Sequence, residues 1–217
     1  MIVKRWLWIP CCALAIAACG GGSSTKAASA LSTSSASAST TTAASDTTTT
    51  TAVSGGSATS EVNPAGDIPD NQVFVAFTDA AGPFTIKVPE GWGRTEVSGV
   101  QTFTDKLNSV RLEVVAAGSA PTTSSATSSE LPAIKSSSKG FSGGKVSTVS
   151  RAGGQAVLIT YQADSAPDPV TGKVIHLDVE RYEFWKAGKE AIVTLSGPVG
   201  ADNVDPWKIV TGSFTWQ

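Results

Sequence analysis

The feature that most restricts folding is a long stretch with almost nothing to bury. Residues 20–63 are almost entirely serine, threonine, alanine and glycine, with no aromatic residue and only Lys26, Asp46 and Glu61 as charged residues. Such a composition cannot bury enough apolar surface to offset the conformational entropy lost on folding. We therefore predict that residues 19–63 form a disordered stalk and that residues 64–217 form one globular domain of ordinary size.

The segment before the stalk has the layout of an export signal. Lys4 and Arg5 precede a short apolar run that ends in Ile16-Ala17-Ala18-Cys19. A positive start, a short apolar run and small residues before the cleavage position are typical of secretory signals. The run is interrupted by Pro10 and is shorter than the about 20 residues of a transmembrane helix. A membrane-spanning helix is therefore disfavoured.

The cysteine at the end of this segment resembles that of bacterial lipoprotein signals. The resemblance implies that residues 1–18 are removed and that Cys19 carries acyl chains such as palmitate. The protein would then be anchored to the extracytoplasmic face of the cell membrane. Because Cys11 and Cys12 fall in the removed segment, the mature chain has no pair of thiols for an internal disulfide.

The charge balance limits the classes of partner. The chain carries 16 basic and 18 acidic side chains, and losing Lys4 and Arg5 with the leader makes it more acidic. A mildly acidic chain without a basic patch argues against nucleic acid as a partner. It also argues against electrostatic adhesion to anionic lipid, so the expected membrane contact is the lipid anchor on Cys19.

Apolar alternation and turn residues predict a domain made mostly of strands. A weak helix is predicted at 130–139 after a loop at 116–129, and a second helix has Asp205 as its N-cap and Pro206 in its first position. Hairpin-linked strands with separate helices indicate an α+β fold with a mostly antiparallel sheet and helices packed on it. The predicted strands are 73–77, 84–88, 100–103, 110–115, 146–149, 155–162, 175–186 and 190–196, and residues 214–216 follow the second helix.

Two motifs carry a family resemblance. Residues 84–92, Phe-Thr-Ile-Lys-Val-Pro-Glu-Gly-Trp, resemble the opening of the PsbP-like fold, and residues 207–214, Trp-Lys-Ile-Val-Thr-Gly-Ser-Phe, resemble its closing helix. Over residues 73–217 the chain is similar to actinobacterial lipoproteins with a PsbP-like domain, a fold shared with photosystem subunits and a Ran-binding protein. The resemblance implies an α/β/α sandwich and non-catalytic binding to larger partners, although function follows the site rather than the fold.

Catalytic and metal-binding patterns are weak. A Ser-His-Asp site would have to use His176, and no Gly-x-Ser-x-Gly motif presents a serine. One histidine without a thiolate cannot fill a tetrahedral zinc shell. Residues 164–169 and 202–205 concentrate oxygen ligands that calcium could use, but Asp, Asn and Pro are also ordinary turn residues. We expect no cofactor and no metal.

One strand carries the remaining candidates. Asp178, Glu180 and Glu183 would be a carboxylate set for glycoside hydrolysis if they lined a cleft, but the nearby Arg181 and Lys186 favour an ordinary charged sheet face.

The aromatic residues of the same strand are the more suggestive candidates. Tyr182 and Phe184 point to one face and Trp185 to the other. Either set, if exposed, would bind a partner or an apolar ligand; the alternative is that all three belong to the core.

The sequence thus favours a lipid-anchored, non-enzymatic binding or scaffold protein that acts on an envelope protein partner. The first alternative is a carrier with a pocket between sheet and helices for a lipid or glycan. A hydrolase that uses acidic residues is the remaining alternative.

Overall fold

A computed structural model of the chain describes residues 64–79, 82–105 and 107–217. The predicted leader 1–18, the lipidation site Cys19 and the predicted stalk 19–63 lie outside these residues and stay predictions. Within the described part, no helix has the length and apolar character that a membrane span requires.

Antiparallel strands make up most of the described residues. The strands are β1 Phe74–Thr78, β2 Phe84–Pro89, β3 Gly93–Val97, β4 Val100–Thr104, β5 Ser109–Ala116, β6 Ser142–Arg151, β7 Gly154–Asp164, β8 His176–Lys186, β9 Lys189–Pro198 and β10 Thr215–Trp216. Seven form a large sheet in the order β3-β4-β5-β9-β8-β7-β6, and three form a small sheet in the order β1-β2-β10.

Both faces of the large sheet are covered at its centre. In β9, Val193 and Leu195 point into the main core, whereas Ile192 is buried on the opposite face, as the period of two in a strand requires. The main core lies between the large sheet, the small sheet and the helix α3, Val204–Gly212. A smaller core of Ala126, Val157 and Ile159 lies under the helical residues 123–137. The predicted α+β fold with a mostly antiparallel sheet is therefore confirmed.

The helical residues 123–137 correct one prediction. The sequence assigned 116–129 to a loop, but the helix begins at Thr123 and Ala126 is fully buried. Its pieces, which we call together the cap segment, are α1 Thr123–Ser125, a π-helical turn Ala126–Glu130 and α2 Leu131–Ser137.

Local hydrogen bonds explain why this serine-rich sequence is helical. The Thr122 side chain accepts a hydrogen bond from the Ser125 N–H at 3.0 Å, and the Ser125 hydroxyl accepts one from the Thr122 N–H at 2.9 Å. This is a capping box in which serine replaces the usual Glu or Gln. The π-turn precedes Pro132, which has no N–H and whose ring crowds the preceding helical turn.

Two further boundaries differ from the sequence prediction. Strand β3 was not predicted, because all its residues are exposed and show no apolar alternation. Helix α3 has Asn203, not Asp205, at its N-cap, and Asp205 lies in its first turn. The predicted burial of Trp207 and Val210 on one helical face is confirmed.

Asn203 also fixes the start of the domain. Its buried side-chain oxygen accepts a hydrogen bond from the Ile68 N–H at 2.8 Å. Its amide nitrogen donates to the Gly66 carbonyl and to the Asn108 side chain, each at 3.0 Å. One side chain therefore joins the first described residues to the turn before β5 and to α3.

Candidate functional site

The face of the large sheet beneath the cap segment carries charged side chains next to apolar ones. Strand β8 directs Arg181, Glu183 and Trp185 to this face, because the residues alternate along the strand. In the register of β8 with β9, Glu183 lies opposite Ile192 and Trp185 lies opposite Glu190. The sheet therefore places charged side chains beside the small apolar core of the cap segment.

Arg181 links the carboxyl groups of Glu183 and Glu130. Its Nε donates to Glu183 Oε1 at 2.7 Å, and its Nη2 lies 3.5 Å from Glu130 Oε2. The Arg181 side chain is 19% exposed and that of Glu183 is 0% exposed. Because Glu130 belongs to the π-turn, this contact ties the cap segment to β8.

A third glutamate completes the cluster. One carboxylate oxygen each of Glu130, Glu183 and Glu190 lie within 4.8 Å of one another. The second Glu183 oxygen, Oε2, is buried and has no hydrogen-bond donor among the described residues. These three residues, which we call the glutamate cluster, are the described group that could hold a metal ion.

The cluster changes the acidity of its members. Burial raises the pKa of Glu183 to about 8, and contact with the Glu130 carboxyl adds to the increase, whereas Arg181 opposes it. Burial also raises the pKa of Glu190, with the negative charge of Glu130 as a further cause. Both shifts follow from placing several carboxyl groups together out of water.

A cavity of about 430 Å³ opens beside the cluster. Glu183 contributes to its lining, as does Trp185, whose Nε1–H donates to the Ala117 carbonyl at 3.0 Å. Half of the other lining residues carry hydroxyl or amide groups, and half are apolar. They come from the strands β6 and β7, from the residues just before the cap segment and from its first residue: Ala120, Pro121, Thr122, Thr123, Thr148, Gln155, Ala156 and Val157.

The three aromatic candidates of β8 separate as the alternation predicted. Tyr182 and Phe184 are 2% and 0% exposed and lie in the main core, so they form no exposed aromatic surface. Trp185 lies on the opposite face, is half-buried and lines the cavity. It is the member of the predicted set that a ligand can reach.

The acidic residues of β8 do not act as one set. Asp178 and Glu180 lie on the face opposite Glu183 and line a second cavity of about 210 Å³. Asp178 accepts a hydrogen bond from Gln162 at 2.9 Å, and Glu180 accepts one from the Tyr182 hydroxyl at 2.6 Å. That cavity is smaller than the about 300–1,000 Å³ typical of ligand sites.

The remaining candidates have structural partners. His176 is exposed at the start of β8, where its Nδ1 lies 2.8 Å from Asp164 Oδ1. Asp168 accepts hydrogen bonds from the Val170 and Thr171 N–H groups. These hydrogen bonds lower the pKa of Asp168, and those from Thr171 have the largest effect.

Glu130 and Glu190 are the residues that sequence reasoning missed. Glu130 lies on the cap segment, far from Glu183 along the chain, and Glu190 lies across the β8–β9 hairpin, and no short motif connects the three. Only the pairing of β8 with β9 and the packing of the cap segment bring the three carboxyl groups together.

Comparison with known proteins gave fold-level similarities. No family model matches the chain, and no curated protein matches it. Among solved structures, PsbP of the cyanobacterium Synechocystis aligns with 71% of this chain and 100% of its own, at 16% identity and a TM-score of 0.48. LpqN of Mycobacterium tuberculosis, described as involved in cell envelope biogenesis, aligns with 67% of this chain and 91% of its own, at 15% identity and a TM-score of 0.36.

A protein of unknown function from Pseudomonas aeruginosa, PA94, aligns with 62% of this chain and 91% of its own, at 17% identity and a TM-score of 0.40. Identity is below one fifth in each of these alignments. They therefore carry no information about activity.

Proposed function

We propose that this chain is a non-catalytic binding protein of the cell envelope that holds a small polar molecule, such as a glycan, between its large sheet and its cap segment. The cavity beside Glu183 carries this proposal, because its volume of about 430 Å³ falls within the about 300–1,000 Å³ of ordinary ligand sites. The expected lipid on Cys19 would hold the binding domain at the membrane.

The chemistry of the lining favours a polar ligand over a lipid. Thr122, Thr123 and Thr148 offer hydroxyl groups and Gln155 offers an amide, while Trp185 supplies the aromatic surface. A few polar groups around an aromatic ring are suited to orienting a hydroxyl-rich molecule. Clefts of about 380 and 360 Å³ elsewhere on the described residues have no aromatic side chain in their lining.

The positions of the carboxyl groups support a non-catalytic role. Among the described residues, Glu183 is the one carboxyl group in the lining of the cavity, since Glu130 and Glu190 lie beside it but do not line the cavity. Asp178 and Glu180 lie on the other face of the sheet. A glycosidase needs two carboxyl groups that flank one bond of its substrate. The geometry therefore favours binding over hydrolysis.

The protein-partner hypothesis has less support from the surface. The exposed large apolar residues within the described part of the chain are valines and one isoleucine, among them Val73, Val97 and Ile209. Stable interfaces are usually centred on aromatic or arginine side chains in well-packed patches. The cavity is therefore the better-supported binding site.

Native mass spectrometry of the full chain, purified from its own host, tests the proposal. We expect an extra mass that leaves on denaturation. Thr148→Trp should remove this mass by filling the cavity, whereas Ser147→Trp, on the other face of β6, should retain it. A bare monomer, or an extra mass that persists in Thr148→Trp, would contradict the cavity proposal.

A further inference from the structure

The glutamate cluster holds more negative charge than its neighbours balance. Glu130, Glu183 and Glu190 come from three different elements, and the ion pairs formed to them within the described residues come from Arg181. With all three carboxyl groups ionised, the one guanidinium would leave two negative charges. Uncompensated charge in a poorly solvated site is costly, so the site must take up positive charge, either as a proton on Glu183 or as a bound cation.

The buried oxygen of Glu183 shows where that charge belongs. Glu183 is 0% exposed, its Oε1 is held by Arg181, and its Oε2 has no donor. The Glu130 carboxyl group lies beside it. In the metal-free protein a proton on Glu183 can be shared with the Glu130 carboxyl group. When Glu183 is ionised, a cation between the two carboxylates would satisfy the Glu183 oxygen that protein donors leave unpaired.

We propose that Glu130, Glu183 and Glu190 together bind Ca²⁺. Hard oxygen ligands select hard divalent cations such as Ca²⁺ and Mg²⁺. Oxygens within 4.8 Å of one another fit two Ca–O bonds of about 2.3–2.6 Å each, whereas Mg²⁺ requires about 2.0–2.1 Å in a strict octahedron. A divalent ion would also neutralise the two residual charges of the fully ionised cluster.

The surroundings suit this ion. Glu130 and Glu190 are half-buried, so water can reach the site. Water molecules can therefore complete the roughly six to eight oxygen ligands that Ca²⁺ takes. Arg181 holds Oε1 of Glu183 and thereby fixes the direction of Oε2, as outer partners of metal ligands commonly do. The Ca²⁺ site does not depend on the ligand proposed for the cavity.

Terbium luminescence tests the site, because Tb³⁺ replaces Ca²⁺ at carboxylate sites and is excited by a nearby indole. Trp185 lies directly opposite Glu190 across the β8–β9 pair, so its ring is close to the proposed ion. The full chain, purified in detergent and stripped with EDTA, is titrated with Tb³⁺ under excitation of tryptophan. We expect saturable emission that Ca²⁺ reverses.

Variants locate the ion. Glu183→Gln and Glu190→Gln should each weaken Ca²⁺ binding, measured by calorimetry, at least tenfold. Glu96→Gln removes an exposed carboxylate on β3 and should leave the affinity unchanged. Circular dichroism verifies that each variant is folded, and the half-buried Glu190 provides a second variant if Glu183→Gln does not fold.

Two results would overturn the proposal. In one, the wild-type chain shows neither saturable terbium emission nor a heat of Ca²⁺ binding in calorimetry. The other is calcium binding that is equally strong in the wild type, Glu183→Gln and Glu190→Gln, which would place the ion elsewhere.

Discussion

At the scale of single residues, Glu183 couples folding to pH. Its pKa is about 8 in the folded, metal-free protein, against an ordinary value of about 4.3 for a glutamate in an unfolded chain. Between these values the folded state holds a proton that the unfolded state has lost. The resulting stabilisation is complete below the unfolded pKa and is lost as the pH rises through the folded one.

We therefore predict that, in EDTA, the free energy of unfolding falls as the pH rises from 5 to 8. The groups that face Glu183 are Arg181 on its own strand and Glu130 on the cap segment, and the nearby Glu190 on β9 shifts in the same direction. Urea unfolding at several pH values measures the slope. Glu183→Gln should flatten it, whereas Glu96→Gln should not, and equal slopes in wild type and Glu183→Gln would refute the assignment.

Asn203 is a second residue whose replacement should destabilise the fold. Asn203→Ala removes the acceptor of the buried Ile68 N–H and the donor to Gly66 and Asn108. Buried groups left without partners cost about 1–3 kcal/mol each, so we expect a loss of about 2–4 kcal/mol in urea unfolding. The exposed Asn71→Ala should change stability by less than about 0.5 kcal/mol; a similar loss in both variants would contradict the role of Asn203.

At the scale of elements, the start of the cap segment is the sensitive point. Thr122→Ala removes the hydroxyl that accepts a hydrogen bond from the Ser125 N–H at the start of the helix. Losing such an N-cap typically lowers stability by about 0.5–2 kcal/mol. Because Thr122 lines the cavity and the same helix carries Glu130, we expect faster amide exchange over residues 123–137 as well as lower stability.

Thr127→Ala is the matched control in the same helical segment. Thr127 is exposed, and its hydroxyl donates only to the Thr123 carbonyl within the segment, a bond that does not stabilise helices. We expect unchanged exchange in this variant. Equal protection in wild type and Thr122→Ala would show that packing of Ala126, and not the cap, holds the segment.

The elements that sequence could predict are those with a clear apolar period. The alternation of β8 correctly separated Tyr182 and Phe184 from Trp185. The helix predicted at 130–139 corresponds to α2, but residues 123–129 lack such a period, since Ala126 is their one fully buried residue. Serine-rich helices also depend on side-chain caps that propensity does not reveal. The glutamate cluster was beyond prediction because its members meet only through strand register and helix packing.

At the scale of the whole molecule, the proposed function requires that the domain be held at a membrane. The apolar run before Cys19 and the predicted stalk 19–63 agree with the proposed display of the domain on the outer side of a membrane. One acyl chain binds a bilayer only marginally, but two anchor it stably. Anchoring would therefore depend on the modification of Cys19 and not on the surface of the domain.

Cys19→Ser tests this dependence in a bacterium that processes lipoproteins. We expect the wild-type chain in the membrane fraction, with an N-terminal peptide that begins at Cys19 and carries the mass of its acyl chains. The variant is made with a secretory signal that is cut without lipidation in place of residues 1–18. It should lack the acyl mass and leave the membrane fraction, because the lipid on Cys19 is the expected membrane contact. Its Ca²⁺ affinity should equal that of the wild type, since Glu130, Glu183 and Glu190 all belong to the described domain. Retention of the variant in the membrane after a salt wash would mean that another part of the chain binds the bilayer or an envelope partner.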